Sequence, residues 1–74
     1  MTLDELPTNQ KARVVSVDGR RAVLLRLMEM GLVPGTPVQV RKRAPFGGPL
    51  ELRVEDYLLS IRVAEAKDIT VEPQ

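Results

Sequence analysis

Seventy-four residues, with no cysteine, no histidine, and eleven Lys and Arg against ten Asp and Glu, describe one small domain of formal charge +1. The missing residue types exclude a disulfide frame, a zinc or haem ligand set and a Cys–His or Ser–His nucleophile, leaving only carboxylate and carbonyl oxygen for a metal. The near balance of charge excludes nucleic-acid or membrane binding by net field alone, and no apolar run approaches the roughly 18 residues of a membrane span.

The opening Met1-Thr2-Leu3-Asp4-Glu5-Leu6 is acidic, without a basic leader or an apolar run, which predicts a cytoplasmic chain with no signal peptide. Leu3 to Leu6 is a brief piece, and Pro7-Thr8-Asn9 reads as a turn in which Asn9 tolerates left-handed backbone. Lys11 to Val17 follows as a strand with Ala12 and Val14 inward. The Val14-Val15 pair breaks strict alternation and fits either a bulge or a strand buried on both faces. Asp18 is a candidate N-cap for a helix over about Arg20–Met30, in which Val23, Leu24, Leu27, Met28 and Met30 share a face. Gly31 stands where a helix end wants positive φ, with Leu32 placed to fold back on the last turn.

Val33-Pro34-Gly35-Thr36 carries the type II turn signature, Pro fixing φ at the second position and Gly accepting positive φ at the third. Pro37 to Arg43 is the next strand, Ala44 to Pro49 a loop, and Leu50 to Glu55 the cleanest period-2 run in the chain. Asp56 turns it into a strand from Tyr57 to Val63, with Tyr57, Leu59, Ile61 and Val63 on one face. Ala64 to Asp68 reads as a turn or a single helical turn, Ile69-Thr70-Val71 as a last short strand, and Glu72-Pro73-Gln74 as a tail. About five short strands and one inserted helix predict a mainly β fold. A small SH3-like barrel whose first and last strands pair, with the helix at one end, answers both the burial and the edge requirements.

Several segments resemble one family. Arg26-Leu27-Met28-Glu29-Met30-Gly31-Leu32-Val33-Pro34-Gly35 is similar to the FeoA signature RL..MGL.PG, and Ala44-Pro45-Phe46-Gly47-Gly48-Pro49 is similar to that family's Pro/Gly-rich loop. Tyr57 to Arg62, Ala66 and Ile69-Thr70-Val71 match its closing pattern, and Leu6-Pro7 and Ala12-Arg13-Val14 fit its opening. Asn9 and Asp56 stand where the family commonly has Gly, and both residue types tolerate left-handed backbone. The resemblance implies a non-enzymatic cytoplasmic accessory protein of bacterial ferrous-iron uptake. Its partner would be the cytosolic G-domain, or another cytosolic face, of a FeoB-type membrane transporter, which would place it at the inner membrane. The alternative is a nucleic-acid-binding or regulatory barrel, of the type that forms the C-terminal domain of metal-dependent repressors. Those repressors carry a helix-turn-helix ahead of the barrel, and none precedes Met1, so the free-standing reading is preferred.

Candidate contact residues follow from pattern and charge. Arg41-Lys42-Arg43 is the densest basic run, with Arg41 and Arg43 expected on one strand face as a handle for an acidic surface or phosphates. Only Tyr57 and Phe46 are aromatic, too few stacking platforms for single-stranded nucleic acid. Leu25 lies outside the helix's apolar arc, Leu58 opposite the inward face of its strand, and Phe46 in a Gly/Pro loop. Together they are an apolar patch for a partner or for weak self-association. Phe46 is read as an anchor held out on a narrow tip, against the rival that its ring plugs the barrel end. Gly31, Pro34, Gly35 and Arg26 are read as structural; Arg26 sits mid-helix, where a guanidinium ties down carbonyls or carboxylates more readily than it reaches a nucleotide. No resident cofactor or metal site is expected, since Glu51 and Glu55 on one strand stand about 13 Å apart.

Overall fold

Most of the runs in which apolar and polar residues alternate become strand. The computed structural model describes residues 1–74 and places β1 at Lys11–Val17, β2 at Pro37–Arg43, β3 at Leu50–Val54, β4 at Tyr57–Ile61 and β5 at Ile69–Pro73. A 3₁₀ turn occupies Leu3–Glu5, α1 runs over Arg21–Glu29 and α2 over Val63–Ala66. All five strands form one antiparallel sheet in the order β4-β3-β2-β1-β5, so the first and last strands pair as the SH3-like barrel requires. Fifteen buried apolar side chains make one core, and every element contributes at least one of them. No helix is long and apolar enough to cross a membrane.

The helix end is built as a Schellman motif. Leu32 N–H donates to the Leu27 carbonyl at 3.1 Å and Gly31 N–H to the Met28 carbonyl at 3.0 Å, with Gly31 at φ 94°. Leu27 and Leu32, which bracket the motif, are both fully buried. The following Pro34-Gly35 turn closes with Thr36 N–H on the Val33 carbonyl at 3.1 Å and Gly35 at φ 92°. Gly35 N–H then donates to the Val14 carbonyl at 2.7 Å and Val14 N–H to the Thr36 carbonyl at 3.0 Å, which stitches this turn onto β1.

The structure also departs from the sequence reading. Asp18 does not cap α1. Its N–H donates to the Asp68 carbonyl at 2.7 Å, Gly19 turns the chain at φ 101°, and the cap is Arg20, without a side-chain capping bond. Met28 is exposed, because α1 packs through the narrower stripe of Val23, Leu27 and Met30. The Val14-Val15 irregularity is a bulge: the β1–β5 register shifts between Val14 and Ser16, and Val15 turns out to solvent. At the β3–β4 turn the left-handed residue is Glu55, at φ 54°, rather than Asp56. β4 ends at Ile61, and Val63 opens α2 instead of extending the strand. Glu72 and Pro73 are strand, not tail, paired with Arg13 and Ala12.

Candidate partner-binding surface

Of the residues proposed for contact, the one most completely in solvent is Phe46, 105% exposed. The β2–β3 loop holds it there. Gly48 N–H closes a turn on the Pro45 carbonyl at 3.2 Å, and Ala44 N–H donates to the Pro49 carbonyl at 3.1 Å beneath it. The two central residues, Phe46 and Gly47, lie at φ 58° and 73°, as a type I′ turn demands. A phenylalanine in left-handed backbone is strained, and such strain persists where the surroundings enforce it. The ring does not plug the barrel; Leu3 and Leu6, fully buried beside the 3₁₀ turn, belong to the core instead.

The basic run on β2 divides. Between Val40 and Lys42 the register against β3 shifts, so Lys42 faces Glu51 and Arg43 faces the buried Leu50. Arg41 and Arg43 therefore do not share a face: the bulge reverses the alternation on which that reading rested. Arg43 is committed inside the chain, its Nη1 donating to the Asp4 carbonyl at 2.9 Å and its Nη2 to the Leu6 carbonyl. Arg41 stays outside, where it lines a shallow cleft of about 330 Å³ with Lys42, Glu51, Arg53, Tyr57 and Leu58.

That cleft brings Arg41 and Leu58 together. Leu58 is 62% exposed and pairs across the ladder with Arg53. Three cations and two carboxylates, Glu51 and Asp56, border it together with the exposed apolar side chain of Leu58. Lys42, Glu51, Arg53, Asp56 and Tyr57 line it without having been singled out for contact in the sequence; the period-2 run Leu50 to Glu55 sets Arg53 on the face opposite Leu52. Leu25, 45% exposed on α1, does not line this cleft, and neither does Phe46 at its loop tip. The arrangement offers basic and apolar contact. No group of three or more acidic side chains gathers where it could surround an ion.

Arg26 has a partner in Glu65, forming an ion pair between α1 and α2. The same carboxylate accepts the Arg62 N–H at 2.8 Å, so Glu65 fastens α1 to the start of α2. Tyr57 performs a like task one turn further on, at the C-cap of α1, its hydroxyl donating to the Met30 carbonyl.

Comparison with known proteins agrees with this architecture. The FeoA domain model matches residues 1–73. A Porphyromonas gingivalis protein, named as a fusion of Fe(2+) transport protein A and Fe(2+) transporter FeoB, is 40% identical over 72 residues, 97% of this chain. The chain spans only 8% of that fusion protein's length. The solution structure of a FeoA protein from Chlorobium tepidum superposes with a TM-score of 0.91 at 42% identity, over 99% of this chain and 70% of that one. Stenotrophomonas maltophilia FeoA, crystallised with zinc and described as an SH3 domain protein, superposes at 0.84 and 37% identity, over 97% and 89% of the two chains. A manganese-dependent transcriptional repressor also superposes, at 0.90, but its 15% identity speaks for the fold alone.

Proposed function

We propose, since this chain belongs to the FeoA family of ferrous-iron transport, that it is a non-enzymatic accessory domain docking on the cytosolic part of a FeoB-type transporter. One observation carries the reading: in the P. gingivalis fusion, a domain 40% identical to this one shares a polypeptide with the transporter. Tethering of that kind raises the effective concentration of two modules, commonly to the millimolar range for short linkers, and so suits a contact that is weak when the modules are separate. Contact would be made through the exposed Phe46 tip and the cleft of Arg41 and Leu58, with Leu25 as a further apolar point on α1. Arg43 leaves that set, because its guanidinium is already bound to the N-terminal turn.

The test is capture of detergent-solubilised transporter, and separately of its nucleotide-binding domain, on the immobilised chain. Retention of either is expected, weakened by Phe46→Ala by on the order of 2 kcal/mol. Failure to retain either one, with the chain correctly folded, would sink the proposal.

A further inference from the structure

The two edges of the sheet are treated differently. At β5 the edge is covered: Thr2 bridges to Thr70, and Val71 N–H donates to the Met1 carbonyl at 2.8 Å. β4, the opposite edge, has no such cover. Val54 and Tyr57 close a two-residue hairpin, which makes them a hydrogen-bonded pair and turns the backbone groups of Tyr57, Leu59 and Ile61 toward β3. Leu58 and Ser60 accordingly present their N–H and C=O groups outward. The same parity holds at Arg62, whose outward N–H is taken by Glu65. α1 does not close over this edge: a groove of about 640 Å³, bordered by Val23, Arg26, Ser60, Arg62 and Glu65, stands between them. An uncovered edge is a template for another strand.

We propose that this edge pairs with the same edge of a second copy, β4 antiparallel to β4, about a two-fold axis at Leu59. The register follows from which groups point outward. With Leu58 opposite the second copy's Ser60, and Ser60 opposite its Leu58, every outward N–H and C=O of the two residues meets its complement. This register also sets Asp56 of each copy against Arg62 of the other. Both side chains are exposed, and neither forms an ion pair within its own chain. Centring the axis on Leu58 or on Ser60 would join only that residue to its equivalent and would separate Asp56 from Arg62. In the chosen register Leu58, 62% exposed on one chain, becomes the diagonal neighbour of the second copy's Leu58, within reach of side-chain contact. Charge, backbone and apolar surface thus select a single alignment. The contact is isologous, which closes the pair and leaves no edge to propagate a filament. An interface this small belongs to the weak, transient class. It does not depend on the transporter reading.

Sedimentation velocity at low ionic strength, over concentrations rising into the millimolar range, reads the association. A monomer–dimer equilibrium is expected, and Arg62→Glu, which sets two acids against each other, should weaken it by about tenfold or more. Adding Asp56→Arg to Arg62→Glu restores opposite charges and should recover the parent affinity to within about threefold. Ser60→Pro removes an N–H that faces away from β3, so the melting midpoint should hold while association is lost. If that variant melts early, the charge-reversal pair alone decides. The proposal is overturned by a chain that remains monomeric throughout, or by a dimer indifferent to Arg62→Glu. It is equally overturned by an affinity that the double reversal does not recover, or by a dimer abolished by Phe46→Ala, which would place the contact at the loop tip.

Discussion

Gly31 meets two constraints at once. Its φ of 94° penalises any side chain, and a Cβ built there would collide with the Tyr57 hydroxyl that caps the Met30 carbonyl. Gly31→Ala is therefore expected to lose about 1 kcal/mol or more, measured by urea denaturation. Tyr57→Phe alone should lose about 1 kcal/mol through its hydrogen bond. Because Tyr57→Phe also removes the colliding oxygen, the double variant should be more stable than the sum of the two predicts, a coupling that strict additivity would refute. At the other end of the chain, Glu5 accepts the Thr2 backbone N–H at 3.0 Å and the Thr2 hydroxyl, and these bonds hold its carboxyl below the ordinary glutamate value. A depressed carboxyl contributes its stabilisation above the unfolded pKa and loses it as pH falls through the folded one. In an NMR titration Glu5 should protonate below the usual glutamate range, and Thr2→Ala should move the midpoint upward. An unmoved midpoint would mean that the Thr2 hydroxyl adds nothing and that the backbone N–H alone carries the depression.

At the level of elements, the β2–β3 turn is built against its own preferences. A type I′ turn favours Asn-Gly, yet Phe46 occupies the first central position, at φ 58°. Phe46→Asn should raise stability by about 0.5–1 kcal/mol on relief of that backbone, seen as a higher melting midpoint. A lower midpoint would show that the exposed ring holds the loop together. The elements that could be read from sequence are those with a period or a paired signal. β1 and β2 were predicted within their observed bounds, and Gly31 and Pro34-Gly35 announced their turns by residue type alone. What escaped had no local signature. Leu3 opens a single 3₁₀ turn and Leu6 caps it, a piece too short to show a period, and both are buried in the core. Arg43 and Arg41 looked equivalent because nothing in the run Arg41-Lys42-Arg43 marks the bulge that reverses their faces. Glu72 and Pro73 became strand through β1, a partner nearly the whole chain away.

Across the whole molecule, the N-terminal turn fills the barrel because Arg43 reaches over it to the Asp4 and Leu6 carbonyls. Arg43→Ala frees those carbonyls and loosens Leu3 and Leu6, with an expected loss of about 1.5–3 kcal/mol in thermal or urea melts. A neutral outcome would mean that Leu3 and Leu6 hold themselves. Iron is cargo for this family's transport system, and the chain has neither histidine nor cysteine with which to retain it. Anaerobic calorimetry with ferrous iron is expected to show only weak, non-stoichiometric heat, and a stoichiometric micromolar site would refute this.

The strand cover on β5 has a topological consequence. Met1 hydrogen-bonds to Val71, and Gln74 N–H donates to the Lys11 carbonyl at 2.9 Å, at the far end of the same strand. Residues 1 and 74 are thus separated by about three residues of extended backbone, roughly 10 Å. A linker of a few glycines could join them into a ring, and the barrel could be spliced into a larger polypeptide at a single point, without redrawing any strand pairing. Such a domain is portable: it can move between separate and embedded existence by changing only the peptide bonds at one small site.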